Sequence, residues 1–197
     1  LDGIPVVISR TGWTGEMGYE IYLRDPSRGN ELWERIMEAG KPHNIRPIAP
    51  CEARKIEAGI LNHGQSMTIE NNPYEIMGFE RLVEDQSLDY IGKQALAKIK
   101  QEGVKKRMVG IRVVLERTAL WMEDAWPVYK DGKQIGKITD LAWSPRLEQN
   151  IGYVWIQTAY SSPGIELEIH SIEGKLEGVT SEIPFIDPKK KTPSIKF

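Results

Sequence analysis

Glu20 is the side chain whose position most needs a chemical reason. It lies in Tyr19-Glu20-Ile21-Tyr22-Leu23, and side chains alternate across a strand. Tyr19, Ile21 and Leu23 therefore share one face, and Glu20 and Tyr22 the other. Burying a carboxylate in an apolar strand without partners costs several kcal/mol, roughly, so something must donate hydrogen bonds to it. An internal arginine or a solvent-facing edge would account for Glu20. So would a heterocycle whose N–H edge the carboxylate accepts, with Trp13 and Tyr22 as flat surfaces beside it.

Other reactive residue types carry less. His43, His63 and His170 are scattered through different stretches and lack zinc-ligand spacing with the single cysteine, Cys51. Cys51 has no partner motif at a recognisable offset, so it reads as a small buried hydrophobe on a helix rather than a nucleophile. Gly12, Gly15 and Gly18 lie three apart between two strands. They do not form the G-x-G-x-x-G turn that leads into a helix, so nicotinamide or flavin binding is not supported within this chain.

The elements that must hold Glu20 begin with Pro5 to Leu23, a strand, a glycine-punctuated loop and a second strand. Val6, Val7 and Ile8 favour the pleated surface. Asp25-Pro26 starts a helix running to Gly40, with Leu32, Trp33, Ile36 and Met37 on a stripe that packs on the sheet. Pro42 and Pro47 interrupt the chain. Pro50 opens a second helix in the register of Ala53, Ile56 and Ile60, weakened at its end by Gly59. Asn62 to Pro73 reads as a loop, Gly78 to Glu84 as a short strand, and Ile91 to Gln101 as a helix with Ile91, Ala95, Leu96 and Ile99 on one side.

From Met108 onward short apolar runs alternate with turns, the pattern of an antiparallel barrel or sandwich. Asp131-Gly132 marks a hairpin between Val128 and Ile135. Further strands are expected at Ile151 to Ile156, Ile165 to Ile169 and Lys175 to Thr180, with turns at Pro163-Gly164 and Glu173-Gly174. Lys189-Lys190-Lys191 reads as a solvated end.

With 197 residues, 40% hydrophobic and 27% charged, the composition is that of an ordinary globular protein. A net charge of −2 gives no electrostatic footprint for nucleic acid. No apolar run approaches the roughly 20 residues of a membrane span, and no signal peptide is evident. The lone cysteine suits a reducing compartment, so a cytoplasmic location is expected. The chain starts at Leu1 and enters a strand almost at once, as a fragment would.

Arg10-Thr11-Gly12-Trp13-Thr14-Gly15-Glu16, followed by Gly18-Tyr19-Glu20-Ile21, resembles the signature of the folate-dependent aminomethyltransferases. These are the glycine cleavage system T-protein and its relatives, the dimethylsulfoniopropionate demethylases among them. The resemblance continues through Ile56-Glu57-Ala58-Gly59, Asn72-Pro73-Tyr74-Glu75, Ile91-Gly92-Lys93-Gln94-Ala95-Leu96, Trp143-Ser144-Pro145 and Ile151-Gly152-Tyr153-Val154, in the family's order.

What it implies is an α+β fold. Residues 1–103, with a linker from about 62, would be a folate-binding part of a ferredoxin-like domain. Residues 104–197 would be an antiparallel β-barrel, the two together making the C-terminal portion of a three-lobed fold. It implies tetrahydrofolate as one-carbon acceptor, Glu20 fixing the pterin, and Trp13 and Tyr22 walling the pocket. The catalytic group and half of the site would lie in an N-terminal portion.

The donor would be a small methylated or aminomethylated molecule or a lipoyl carrier protein. Aligning Lys55 to Gly59 puts Cys51 where much of the family has a ligand-holding arginine, which favours methyl or demethylation chemistry. Arg54 is displaced from that position by roughly 300° of helical rotation. A non-catalytic folate-binding module and the C-terminal segment of a flavin-dependent dimethylglycine or sarcosine dehydrogenase are the alternatives. The former lacks its cysteine-containing signature here; the latter would need a dinucleotide-binding fingerprint upstream.

Overall fold

A computed structural model of the chain describes residues 1–76, 78–84, 86–117, 122, 124–172, 174–189 and 191. The chain divides into two compact units, Leu1–Cys51 and Glu52–Lys189.

In the first unit, β1 (Val6–Ser9) and β2 (Glu20–Leu23) pair antiparallel, with Ser9 opposite Glu20 and Val7 opposite Tyr22. Asp25 then caps a 3-10 turn, Pro26–Arg28, by accepting from the Ser27 N–H at 3.1 Å, and α1 (Gly29–Gly40) follows. The Arg28 guanidinium donates to both oxygens of Glu31, at 2.8 and 2.9 Å, and to the Gly3 carbonyl at 2.7 Å, tying the helix start to the chain before β1. Leu32 is buried and Ile36 and Met37 are half-buried, but Trp33 is exposed. Leu32 and Ile36, four residues apart, define the packed face. Trp33 stands about 100° from Leu32 and lies off the packed stripe to which the sequence assigned it.

The second unit opens with α2 (Glu52–Glu57), on which Ala53 and Ile56 are buried as their spacing predicts. Gly59 does more than weaken its end. With φ at +68°, it donates to the Ile56 carbonyl while Ile60 donates to that of Lys55, the paired bonds that close a helix through a left-handed glycine. Cys51 is exposed and precedes α2, so it is not the buried helical residue expected.

Gly78 to Glu84 is not a strand: Glu80–Leu82 is a 3-10 turn. Phe79, Leu82 and Val83 recur at three and four, a helical rather than an alternating interval. In α3 (Lys93–Glu102), Leu96 and Ile99 are half-buried, whereas Ala95 is exposed. Ile91 lies before the helix, beyond Gly92, and is also exposed.

Six strands then close into an antiparallel barrel in the order β3-β6-β5-β4-β7-β8. They are β3 (Lys106–Val114), β4 (Trp126–Lys130), β5 (Lys133–Ser144), β6 (Gln149–Gln157), β7 (Glu166–Ser171) and β8 (Gly174–Ser181). The predicted hairpin joins β4 to β5, with Asp131 and Gly132 both at positive φ. Of the expected Glu173-Gly174 turn and the Lys189-Lys190-Lys191 tail, Glu173 and Lys190 lie outside the described residues.

Val109, Ile111, Val113, Val154, Ile156 and Ile169 fill the barrel. Met108, Ile151, Tyr153 and Trp155 form a second layer with Ile56 and Ile76 outside it. Covering β6 on both faces explains its sequence: Ile151 to Ile156 is a continuous run because neither side meets water.

Candidate functional site

The β1–β2 ribbon places Glu20 and Tyr22 on one face of β2, both exposed, with Ile21 and Leu23 half-buried on the other. The predicted alternation is present over these four residues. Tyr19, expected with Ile21, is exposed, and the Arg10 guanidinium lies 5.4 Å from its ring centroid.

Glu20 has the donors its position calls for, and they are local. The Thr11 hydroxyl donates to Oε2, and the Tyr22 hydroxyl donates to the same oxygen at 3.1 Å. No arginine pairs with Glu20 among the described residues, so the internal salt bridge gives way to the solvent-facing arrangement. Oε1 has no hydrogen-bond partner among the described residues. A carboxylate with one oxygen fixed and the other open is an oriented acceptor for an N–H donor. Trp13 is also exposed, in the connecting loop, and no ring stacking joins it to Tyr22 among the described residues.

The barrel unit holds a polar network that sequence reasoning missed. Lys55 and Asp140 are both fully buried, and the ammonium donates to Asp140 Oδ1 at 2.8 Å and lies 2.6 Å from Glu52 Oε2. Ser66 donates to Asp140 Oδ1 and Thr139 to Oδ2, each at 2.8 Å, so both carboxylate oxygens are satisfied. Nearby, buried Glu57 accepts from Ser144 at 2.6 Å, with Arg146 and Arg54 at 3.5 and 3.7 Å from its other oxygen. The Tyr153 hydroxyl lies at 3.0 Å from the Ile60 carbonyl and 3.3 Å from those of Lys55 and Ile56. Burial, reinforced by the negative charges of Asp140 and Glu52, pushes this phenol far above its usual range, so it stays a donor. Paired and closed to water, these groups fasten α2 and its following loop to the barrel rather than supply reactive centres. Asp140 carries a signal in the sequence, a carboxylate between Ile138 and Leu141, whereas Lys55, on a helix beside Arg54, reads as a solvated charge.

On the barrel surface Glu168 accepts from His170 at 2.6 Å and Lys175 at 3.0 Å, while Tyr129 stacks on the imidazole at 4.1 Å between centroids. Among the described residues no group of three histidine, cysteine or acidic side chains could hold a metal ion. No described helix is long and apolar enough to cross a membrane.

Two family models match the chain: the GCVT N-terminal domain over residues 1–86 and the glycine cleavage T-protein C-terminal barrel domain over residues 106–187. A probable aminomethyltransferase of Pyrococcus horikoshii is 31% identical over 212 residues, covering 96% of this chain and 52% of that protein. An aminomethyltransferase of Clostridium botulinum is 36% identical over 195 residues, covering 98% and 51%. A dimethylsulfoniopropionate demethylase of Ruegeria pomeroyi is 31% identical over 172 residues, covering 87% and 46%. The chain thus spans about half the length of these curated relatives. The crystal structure of glycine cleavage system aminomethyltransferase T from Bartonella henselae superposes with a TM-score of 0.75 at 19% identity, over 91% of this chain and 49% of that one, a likeness of fold.

Proposed function

The chain belongs to the folate-dependent aminomethyltransferase family of the glycine cleavage T-protein, and from that premise we propose that it is the C-terminal portion of a tetrahydrofolate-dependent one-carbon transferase. The observation that carries this reading is Glu20 Oε1, open beside an Oε2 held by Thr11 and Tyr22. Tetrahydrofolate, when bound, supplies the nitrogen that accepts the one-carbon unit. Glu20 takes an N–H edge of the pterin through its open oxygen, while Thr11 and Tyr22 fix the carboxylate so that little orientational freedom is lost on binding. Tyr22 and Trp13 supply flat apolar surface. Catalysis of this kind is largely positioning, so the residues of this chain orient the acceptor and the reacting carbon comes from the donor.

For the donor, a small methylated amine or sulfonium is favoured over an aminomethylated lipoyl carrier protein. Support comes from Cys51 standing where the resemblance expects an arginine, since a thiol cannot reproduce the two-pronged hold of a guanidinium on carboxylate or amide oxygen. We place the protein in the cytoplasm, on the strength of its single cysteine.

The test offers the protein, with the N-terminal portion that its relatives carry, either aminomethylated lipoyl carrier or a panel of small methyl donors, and follows methylene- and methyl-tetrahydrofolate. Methyl-tetrahydrofolate from a small donor is expected. Efficient methylene-tetrahydrofolate formation from the carrier alone would overturn the donor assignment, and no tetrahydrofolate product from any donor would overturn the transferase reading.

A further inference from the structure

The barrel unit carries a cleft of about 490 Å³ that owes nothing to Glu20 or the β1–β2 ribbon. Its volume falls within the range of small-molecule sites. Trp155 and Ile156 of β6 and Met67 of the loop after α2 give it apolar walls, and Lys106 of β3 and Lys137 of β5 flank it. The register fixes the two lysines relative to each other. Lys137 is the Cα partner of Trp155 and Lys106 that of Gln157, so they approach β6 from its two neighbouring strands. Strands two apart are separated by roughly 10 Å, a span that two flexible ammonium stems can bracket.

The two lysines differ in how far the fold neutralises them. Lys137 has no ion-pair partner among the described residues. The Lys106 ammonium lies 5.3 Å over the Trp155 ring, and its nearest carboxylate, Glu75, is 4.0 Å away, at the outer limit of an ion pair. Glu70 is the acidic side chain on the lining. The rear wall has little left to offer: the Ser66 and Thr139 hydroxyls are committed to Asp140, and the Trp155 N–H donates to the Ser66 carbonyl at 2.8 Å. The lining also carries the Gln134 and Gln157 amides, so recognition falls to two ammoniums and these amides beside apolar surface. That combination suits neither a neutral apolar molecule nor a compact inorganic anion.

We propose that this cleft binds a small organic dicarboxylate, its carboxylates meeting Lys106 and Lys137 and its hydrocarbon lying against Trp155 and Met67. The inference is independent of the folate reading.

The test titrates the protein with glutarate while following the indole N–H resonance of Trp155 by NMR, assigned from its loss in Trp155→Phe. Glutaramide, the uncharged isostere, and inorganic phosphate are run beside it. A saturating shift is expected with glutarate, none with glutaramide and weaker binding of phosphate, and Lys137→Gln should weaken glutarate by roughly tenfold, as loss of one charged partner does. The absence of a saturating shift, equal affinity in Lys137→Gln, or phosphate binding as tightly as glutarate would each overturn the proposal.

Discussion

Lys55 and Asp140 stand 85 positions apart in sequence and meet at 2.8 Å with neither side chain reached by solvent. The pair joins α2 to β5. Its Coulombic gain offsets desolvation only because Ser66 and Thr139 complete the carboxylate's shell.

Removing both partners should therefore cost less than the two single removals added together. Lys55→Met is expected to cost about 3–5 kcal/mol, since it leaves a buried charge short of its counter-ion. The double variant Lys55→Met/Asp140→Leu should cost clearly less than the sum of the two single changes. Urea unfolding of all four proteins measures this, and strictly additive losses would show that the pair is not coupled.

The fold was legible where pattern is local. Alternation in Glu20–Leu23, the Asp131-Gly132 hairpin and the apolar run of β6 each follow from neighbours a few residues away. The buried network was not legible in that way, because a lysine on a helix reads as a solvated charge until its partner 85 residues on is brought beside it. The same reasoning that singled out Glu20, a carboxylate among apolar residues, applies better to Asp140, which is buried, than to Glu20, which is exposed. Gly78 to Glu84 misled because Phe79, Leu82 and Val83 are apolar without being alternate. Trp33 misled because a helical stripe has a width that spacing alone does not set.

Gly152 is required by proximity rather than by conformation. A Cβ there would lie 2.0 Å from the Asp140 carbonyl oxygen, next to the irregularity in β5 between Ile138 and Asp140. Gly152→Ala should destabilise by about 1–3 kcal/mol, the usual range for overpacking, because the obstacle is backbone and cannot rotate away. Thermal unfolding checks it; an unchanged midpoint would show that the two strands part without penalty.

Glu168 should titrate below the ordinary glutamate value of 4.5, held down first by its hydrogen bond to His170 and then by that to Lys175. With the folded-state value depressed, its contribution to stability is present above the ordinary value and is lost as pH falls through the lowered one. Carbon-detected NMR titration of the Glu168 carboxyl should give a midpoint below 4.5 that rises in His170→Ala. A midpoint indifferent to His170 would remove the imidazole as the cause.

Glu20 is the residue proposed to hold the acceptor. Calorimetric titration of the protein, carrying the N-terminal portion of its relatives, with tetrahydrofolate compares wild type and Glu20→Gln. Because Glu20 is exposed and its partners are local, the exchange should leave the melting temperature nearly unchanged. Loss of a charged hydrogen-bond partner should weaken binding by about 1.5–3 kcal/mol, roughly ten- to hundredfold. Equal affinity of the two proteins for tetrahydrofolate would contradict the account.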